Sequence, residues 1–289
     1  MAETRLDPRL NVYSPELADA RLRGRVTAER FVEGTRMRVS VGATPMRARP
    51  DVDAPYASEL IMGEAVLVFA ETGGWTWCQS ETDGYVGHVA AAALGPPDPE
   101  PTHRVAVIRT FVYPGPDLKL PPVMALSLGA RLALGEGCET RGTAYRLLAG
   151  SSHAVVARHV EALDAAPEPD FVAVAGRFLN VPYLWGGRTG LGLDCSALVQ
   201  LSLMAAGIAA PRDSDMQRDG LGQPVPGGID GALRRGDLVF WPGHVAILES
   251  PDRMLHASGH HMTVVSEPLA EALARIGAVS GPPVAVRRP

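Results

Sequence analysis

Lysine is almost absent: Lys119 is the only one in 289 residues, and every other basic side chain is arginine. The scarcity reflects genome composition more than function, but the overall balance is informative. With 32 acidic against 27 basic residues the net charge is −5, so nothing suggests nucleic acid or an anionic membrane as a partner. Cysteine is scarce too. Cys78, Cys138 and Cys195 lie far apart, which excludes a disulfide framework and suits a reducing compartment. No apolar run reaches transmembrane length, and Met1 to Pro8 lacks the basic start and apolar core of a secretory signal, so the expected location is cytoplasmic. A chain disordered overall is excluded as well, since 46% hydrophobic content over this length supports two or three small folded domains.

Against this background one segment stands out. Asp194-Cys195-Ser196-Ala197 opens a run, Ala197 to Ala206, with apolar residues at helical spacing; Asp194 suits the N-cap and Gly207 the stop. Cys195 therefore falls in the first turn, where the helix dipole and unsatisfied N–H groups favour thiolate, the attacking form of the side chain. The plain alternative is a small buried hydrophobe. Downstream, Pro242-Gly243 turns the chain into a strand that opens with His244, and a further turn leads to a short strand carrying His256. Adjacent antiparallel strands can place both imidazoles on one face, where His244 would take the thiol proton and His256 would orient it. Each histidine alone could equally be a hydrogen-bonded structural residue. A zinc site from His256, His260 and His261 is a weaker reading, because no cysteine pair or carboxylate completes it, so neither metal nor other cofactor is expected.

Five segments in order carry a family resemblance: Pro182-Tyr183-Leu184-Trp185-Gly186-Gly187, Leu193 to Gln200, Arg235-Gly236-Asp237 with the following strand, Gly243-His244-Val245, and Leu255-His256-Ala257. Together they resemble the NlpC/P60 family of papain-like cysteine peptidases. The resemblance implies a Cys195–His244–His256 triad, with Tyr183 lining the active site and Asp194 and Ser196 flanking the nucleophile at the substrate. Ala197 replaces a common glycine, a change that favours the helix. Arg212-Asp213-Ser214 and Gln217 resemble the segment of members that cleave γ-D-glutamyl–diamino acid bonds in murein peptides with a free N-terminal L-alanine. By that likeness Asp213, with Ser214 beside it, would meet the substrate ammonium. Asp213 or Ser214 capping the next turn is the bland alternative.

The front half shows short strand-like runs between turn signals from about 34 to 97, in an order similar to bacterial SH3 domains, and a weaker repeat follows the Pro-rich stretch Gly95 to Pro101. In the peptidases just named the first such domain covers the cleft; by matching position this would bring Tyr85 and Glu64 to the ammonium. A barrel-core tyrosine and a solvated glutamate are the alternatives. The expectation is thus an α+β papain-like catalytic domain over 166–289, preceded by a helical arm over 1–33 and two small all-β SH3-like barrels over 34–97 and 98–165. Its expected activity is hydrolysis of murein peptides in wall-peptide recycling, with no obligate protein partner. A catalytically silent SH3-type binding module, or an amidase or acyltransferase with the same Cys-His chemistry, are the other readings.

Overall fold

The computed structural model describes residues 6–289 and divides the chain into two compact units, up to Asp164 and from Ala165 onward. The first unit is built of strands and single 3-10 turns. Its opening segment departs from the helical arm expected from sequence. Leu17–Asp19 pairs in parallel with Arg30–Val32, joined by one 3-10 turn at Ala20–Leu22. Pro15, the Asp19 carboxylate that accepts the Arg21 N–H, and Gly24 at φ +81° each interrupt helical geometry, while Val12 and Leu17 gain burial against Phe69 and Val86.

A seven-stranded antiparallel sheet follows, running in spatial order Tyr56–Ile61, Ala43–Arg47, Val86–Ala90, Trp75–Ser80, Ala65–Thr72, Thr35–Val39 and Leu94–Gly95. After it come a five-stranded sheet between Arg109 and Val156 and a three-stranded sheet of His103–Val105, Arg131–Leu132 and Val160–Ala162. The two strand sets meet at the Met62-Gly63 turn. Arg131 donates its N–H to the Met62 carbonyl at 2.8 Å, and a Cβ on Gly63 would lie 2.1 Å from the Arg131 oxygen, so only glycine fits. Glu64 closes the same turn.

The second unit packs helices on a six-stranded antiparallel sheet, ordered Gln223–Pro224, Ala285–Arg288, Leu238–Trp241, His244–Ser250, Arg253–Ser258 and Thr263–Pro268. Four helices accompany it: α1 (Phe171–Gly176), α2 (Cys195–Ala205), α3 (Ser214–Gly220) and α4 (Leu269–Ser280). The first is shorter than the Phe171 to Leu179 run suggested. Every residue from Cys195 to Leu203 is buried, so α2 is held on all sides and its first turn cannot drift. On the sheet, Val239, Trp241, Ala246, Leu248 and Met254 pack with Leu269, Ala272 and Ile276 of α4 as one apolar core.

Candidate active site

The loop before α2 explains the glycine pair in its sequence. Gly186 has φ +73° and donates its N–H to Asp194 Oδ2 at 3.0 Å, while a Cβ on Gly187 would sit 2.7 Å from the Gly192 carbonyl oxygen. Asp194 is the hub. Its Oδ1 accepts the Ala197 N–H at 2.8 Å as an N-cap, and Arg212 grips both carboxylate oxygens, Nη1 to Oδ1 at 3.0 Å and Nη2 to Oδ2 at 2.7 Å. Arg212 also donates to the Ser196 hydroxyl at 2.9 Å, and Gln217 of α3 donates to the Ser196 carbonyl. The side chains of Asp194 and Ser196 are therefore occupied inside the loop. Both are buried and turned to Arg212, which makes them part of the scaffold around the nucleophile.

The electrostatics of Cys195 also differ from expectation. Burial pushes the thiol up to about 12, and the Asp194 charge adds to this; the N–H groups of Val245 and Ser196 and the charge of Arg212 act in the opposite direction without overcoming it. The helix N-terminus is present, but desolvation outweighs it. His244 is neutral for the same reason, held down to about 3 by burial, then by His256 and Arg275. Both shifts favour the uncharged thiol and imidazole over a charged pair.

His244 and His256 meet as the strand pattern suggested. His244 Nε2 lies 2.7 Å from His256 Nδ1, with the rings edge to face. The register explains it: Ile247 pairs with Leu255, which brings Ala246 opposite His256, and His244, two residues earlier, points to the same side. Since Nε2 is engaged, Nδ1 is the nitrogen of His244 left for the thiol. Cys195 is held by the neighbouring residue, its sulfur accepting the Val245 N–H; among the described residues no hydrogen bond yet joins it to His244. Tyr183 completes the group, its phenol raised by burial and then by the nearby Cys195 and Asp194.

Two residues that motif reading passed over adjoin the triad. His256 Nε2 lies 2.7 Å from Glu267 Oε1, and Arg275 of α4 pairs with that carboxylate. The signal for Glu267 was available in the last hairpin, where His256 opposite Val265 puts Glu267 on the His256 face.

Asp213 occupies the N-cap position of α3, yet its side chain makes no cap hydrogen bond there, and Ser214 begins the helix. In the first unit, Glu64 is buried and accepts the Ile61 N–H at 2.9 Å, so the solvated strand-end alternative gives way to a turn-closing role. Tyr85 lines a cavity of about 520 Å³ with Trp77 and His88. Among the described residues no group of three or more His, Cys, Asp or Glu converges to hold a metal.

A buried cysteine at a helix start, a neutral histidine on an adjoining sheet and a second histidine behind it define a papain-like thiol hydrolase. Residues 180–275 match the NlpC/P60 family and residues 46–94 the bacterial dipeptidyl-peptidase Sh3 domain, so the chain carries an NlpC/P60 domain together with a bacterial SH3 domain. Among curated relatives, dipeptidyl-peptidase 6 of Lysinibacillus sphaericus is 33% identical over 106 residues, 37% of this chain and 38% of that one. The γ-D-glutamyl-L-lysine dipeptidyl-peptidase of Bacillus subtilis strain 168 is 27% identical over 231 residues, covering 71% of this chain and 73% of that protein. The chain thus spans less than half of the first relative and nearly three quarters of the second. In fold, it is similar to an NlpC/P60 family protein of Bacillus cereus ATCC 10987, with a TM-score of 0.72 at 20% identity over 88% of this chain and 99% of that one.

Proposed function

We propose that this protein hydrolyses the γ-D-glutamyl to diamino acid bond of murein peptides that carry a free N-terminal L-alanine. The observation that carries the reading is the Arg212-Asp213 pair. Arg212 is locked to Asp194, the residue before the nucleophile, so the next residue, Asp213, is held close to the reacting loop. A carboxylate there rewards a substrate ammonium and disfavours an acylated nitrogen. The name of one relative, γ-D-glutamyl-L-lysine dipeptidyl-peptidase, supports the same substrate class.

In this mechanism the Cys195 sulfur attacks the γ-carbonyl carbon as its proton passes to His244 Nδ1. The tetrahedral oxyanion is met by the Cys195 N–H and the Tyr183 hydroxyl. Collapse breaks the C–N bond, His244 returns the proton to the leaving amine, and water then releases the glutamyl product from the thioester. We assign the activity to recycling of wall fragments in the cytoplasm, a reducing setting in keeping with three free cysteines.

The test is turnover of L-Ala-γ-D-Glu-L-Lys and its N-acetylated form, followed by mass spectrometry. Release of L-Ala-D-Glu from the free peptide alone is expected, and Asp213→Asn should cost about 10- to 100-fold in kcat/KM. Equal cleavage of the acetylated peptide overturns the Asp213 role.

A further inference from the structure

His244, His256 and Glu267 form one diagonal row across three strands. His256 is the shared member, hydrogen-bonded at Nδ1 to His244 Nε2 and at Nε2 to Glu267 Oε1, both at 2.7 Å. The row is buried at its centre, since His256 is 1% exposed. Around Glu267 the facing ionisable groups are His256 from its own strand's neighbour, His261 from the hairpin turn at 3.9 Å, and Arg275 from α4. His256 in turn faces His244, Glu267, His261 and Arg275.

A neutral imidazole has one proton and two nitrogens, so a row of two imidazoles can run in either of two directions. In one, His256 carries its proton on Nδ1 and donates to His244 Nε2. His244 must then carry its own proton on Nδ1, turned toward the thiol, and cannot accept from it. In the other, His256 carries its proton on Nε2, accepts the His244 Nε2–H at Nδ1, and leaves the Nδ1 lone pair of His244 for Cys195. The histidines themselves have no preference for the productive direction. We propose that Glu267 is the positioning residue which chooses it: an acceptor-only carboxylate at His256 Nε2 requires a proton there, and through His256 it makes His244 a base toward Cys195.

The surroundings keep the carboxylate able to do this. Burial alone would raise the Glu267 carboxyl, yet hydrogen bonds from Arg275 and His256 hold it below its ordinary value, so it stays an acceptor at neutral pH. During attack the thiol proton moves to His244 Nδ1 and forms an imidazolium. Its Nε2–H remains donated to His256, whose Nε2–H remains donated to Glu267. No second proton moves, and the anionic end of the row stabilises the new positive charge.

The inference rests on the Cys195–His244 chemistry of the proposed function and not on which amide is cleaved. Its test is therefore first made without substrate, by long-range ¹H–¹⁵N correlation spectra of histidine-labelled wild-type protein at pH 7. Both His244 and His256 are expected as Nε2–H tautomers; an Nδ1–H tautomer at either residue overturns the proposal with no variant needed. Glu267→Gln, whose amide can donate as well as accept, is expected to mix the tautomers, lower kcat roughly 10²-fold with KM within about threefold, and move the acid limb of the kcat profile to lower pH. Glu267→Asp should recover part of the loss. A fall in kcat with wild-type tautomers and an unchanged pH profile would assign Glu267 a packing role and overturn the proposal. If the murein peptide is not cleaved, alkylation of Cys195 replaces kcat as the readout, so failure of the substrate assignment is seen separately.

Discussion

Arg212 holds both oxygens of Asp194 from 18 positions along the chain, at 3.0 and 2.7 Å, while Asp194 caps the helix that begins with Cys195. Both side chains are nearly sealed from solvent, 1% and 11% exposed. Removing one partner would leave the other charge stranded. Arg212→Met should therefore cost about 3–5 kcal/mol of stability in urea unfolding, and the double variant Arg212→Met, Asp194→Asn should recover part of that loss. Strictly additive losses would show that the two do not act as a pair.

The raised thiol and depressed imidazole distinguish this site from one with a preformed ion pair. Alkylation follows the thiolate fraction, and a thiol moved up to about 12 has little thiolate at neutral pH. The rate of Cys195 labelling by iodoacetamide in the free protein should rise continuously from pH 6 to pH 10. A plateau below pH 6, the sign of a stable thiolate–imidazolium pair, would contradict the burial argument.

Much of this geometry was legible in the sequence because it is local. The N-cap at Asp194, the stop at Gly207 with φ +76° and the strand opening at His244 follow from residue types at short range. The amino-terminal arm is not legible, for the opposite reason. Its apolar residues fit a helical spacing, but pairing with Arg30–Val32 and packing on Phe69 decide the outcome, and those partners are remote in the chain. The burial of Glu64 is equally hidden in the sequence, since nothing nearby announces that its carboxylate folds back onto the Ile61 N–H. The acidity of Cys195 failed on magnitude: the helix terminus is local and visible, whereas the desolvation that outweighs it depends on everything packed around α2.

Both histidines also connect the site to acid stability. His256 has its pKa lowered from 6.5 to about 4, chiefly by burial, against the raising effect of Glu267. Above pH 6.5 the residue is neutral folded or unfolded and contributes nothing to the pH dependence. Below it the unfolded chain takes up a proton that the folded protein resists, so stability falls as pH drops toward 4, by about 2 kcal/mol at pH 5 from this residue alone. His244, lowered in the same direction, adds to the slope. Comparing urea midpoints at pH 7.5 and pH 5 checks this: His256→Gln should flatten the difference, and an equal acid loss in the variant would place its origin elsewhere.

Gly187 links loop shape to catalysis more directly than any charged residue. Its backbone conformation is not the constraint; the approach of the Gly192 carbonyl, 2.7 Å from an ideal Cβ, and of Leu184 at 2.9 Å leaves no room for a methyl group. The Gly187 carbonyl accepts the Asp194 N–H at 3.3 Å, so a Gly187→Ala loop that moves aside carries the N-cap of α2 with it. Displacement of a nucleophile by even an ångström is costly, and kcat/KM should fall by about 10²-fold while the fold persists. Gly277→Ala in α4, where a Cβ meets nothing within 4 Å, is the matched control and should be neutral or stabilising by about 0.5–1 kcal/mol. Wild-type kinetics in Gly187→Ala would show that the loop can absorb the methyl group without moving Cys195, and the close approach at Gly192 would then have no part in placing the nucleophile.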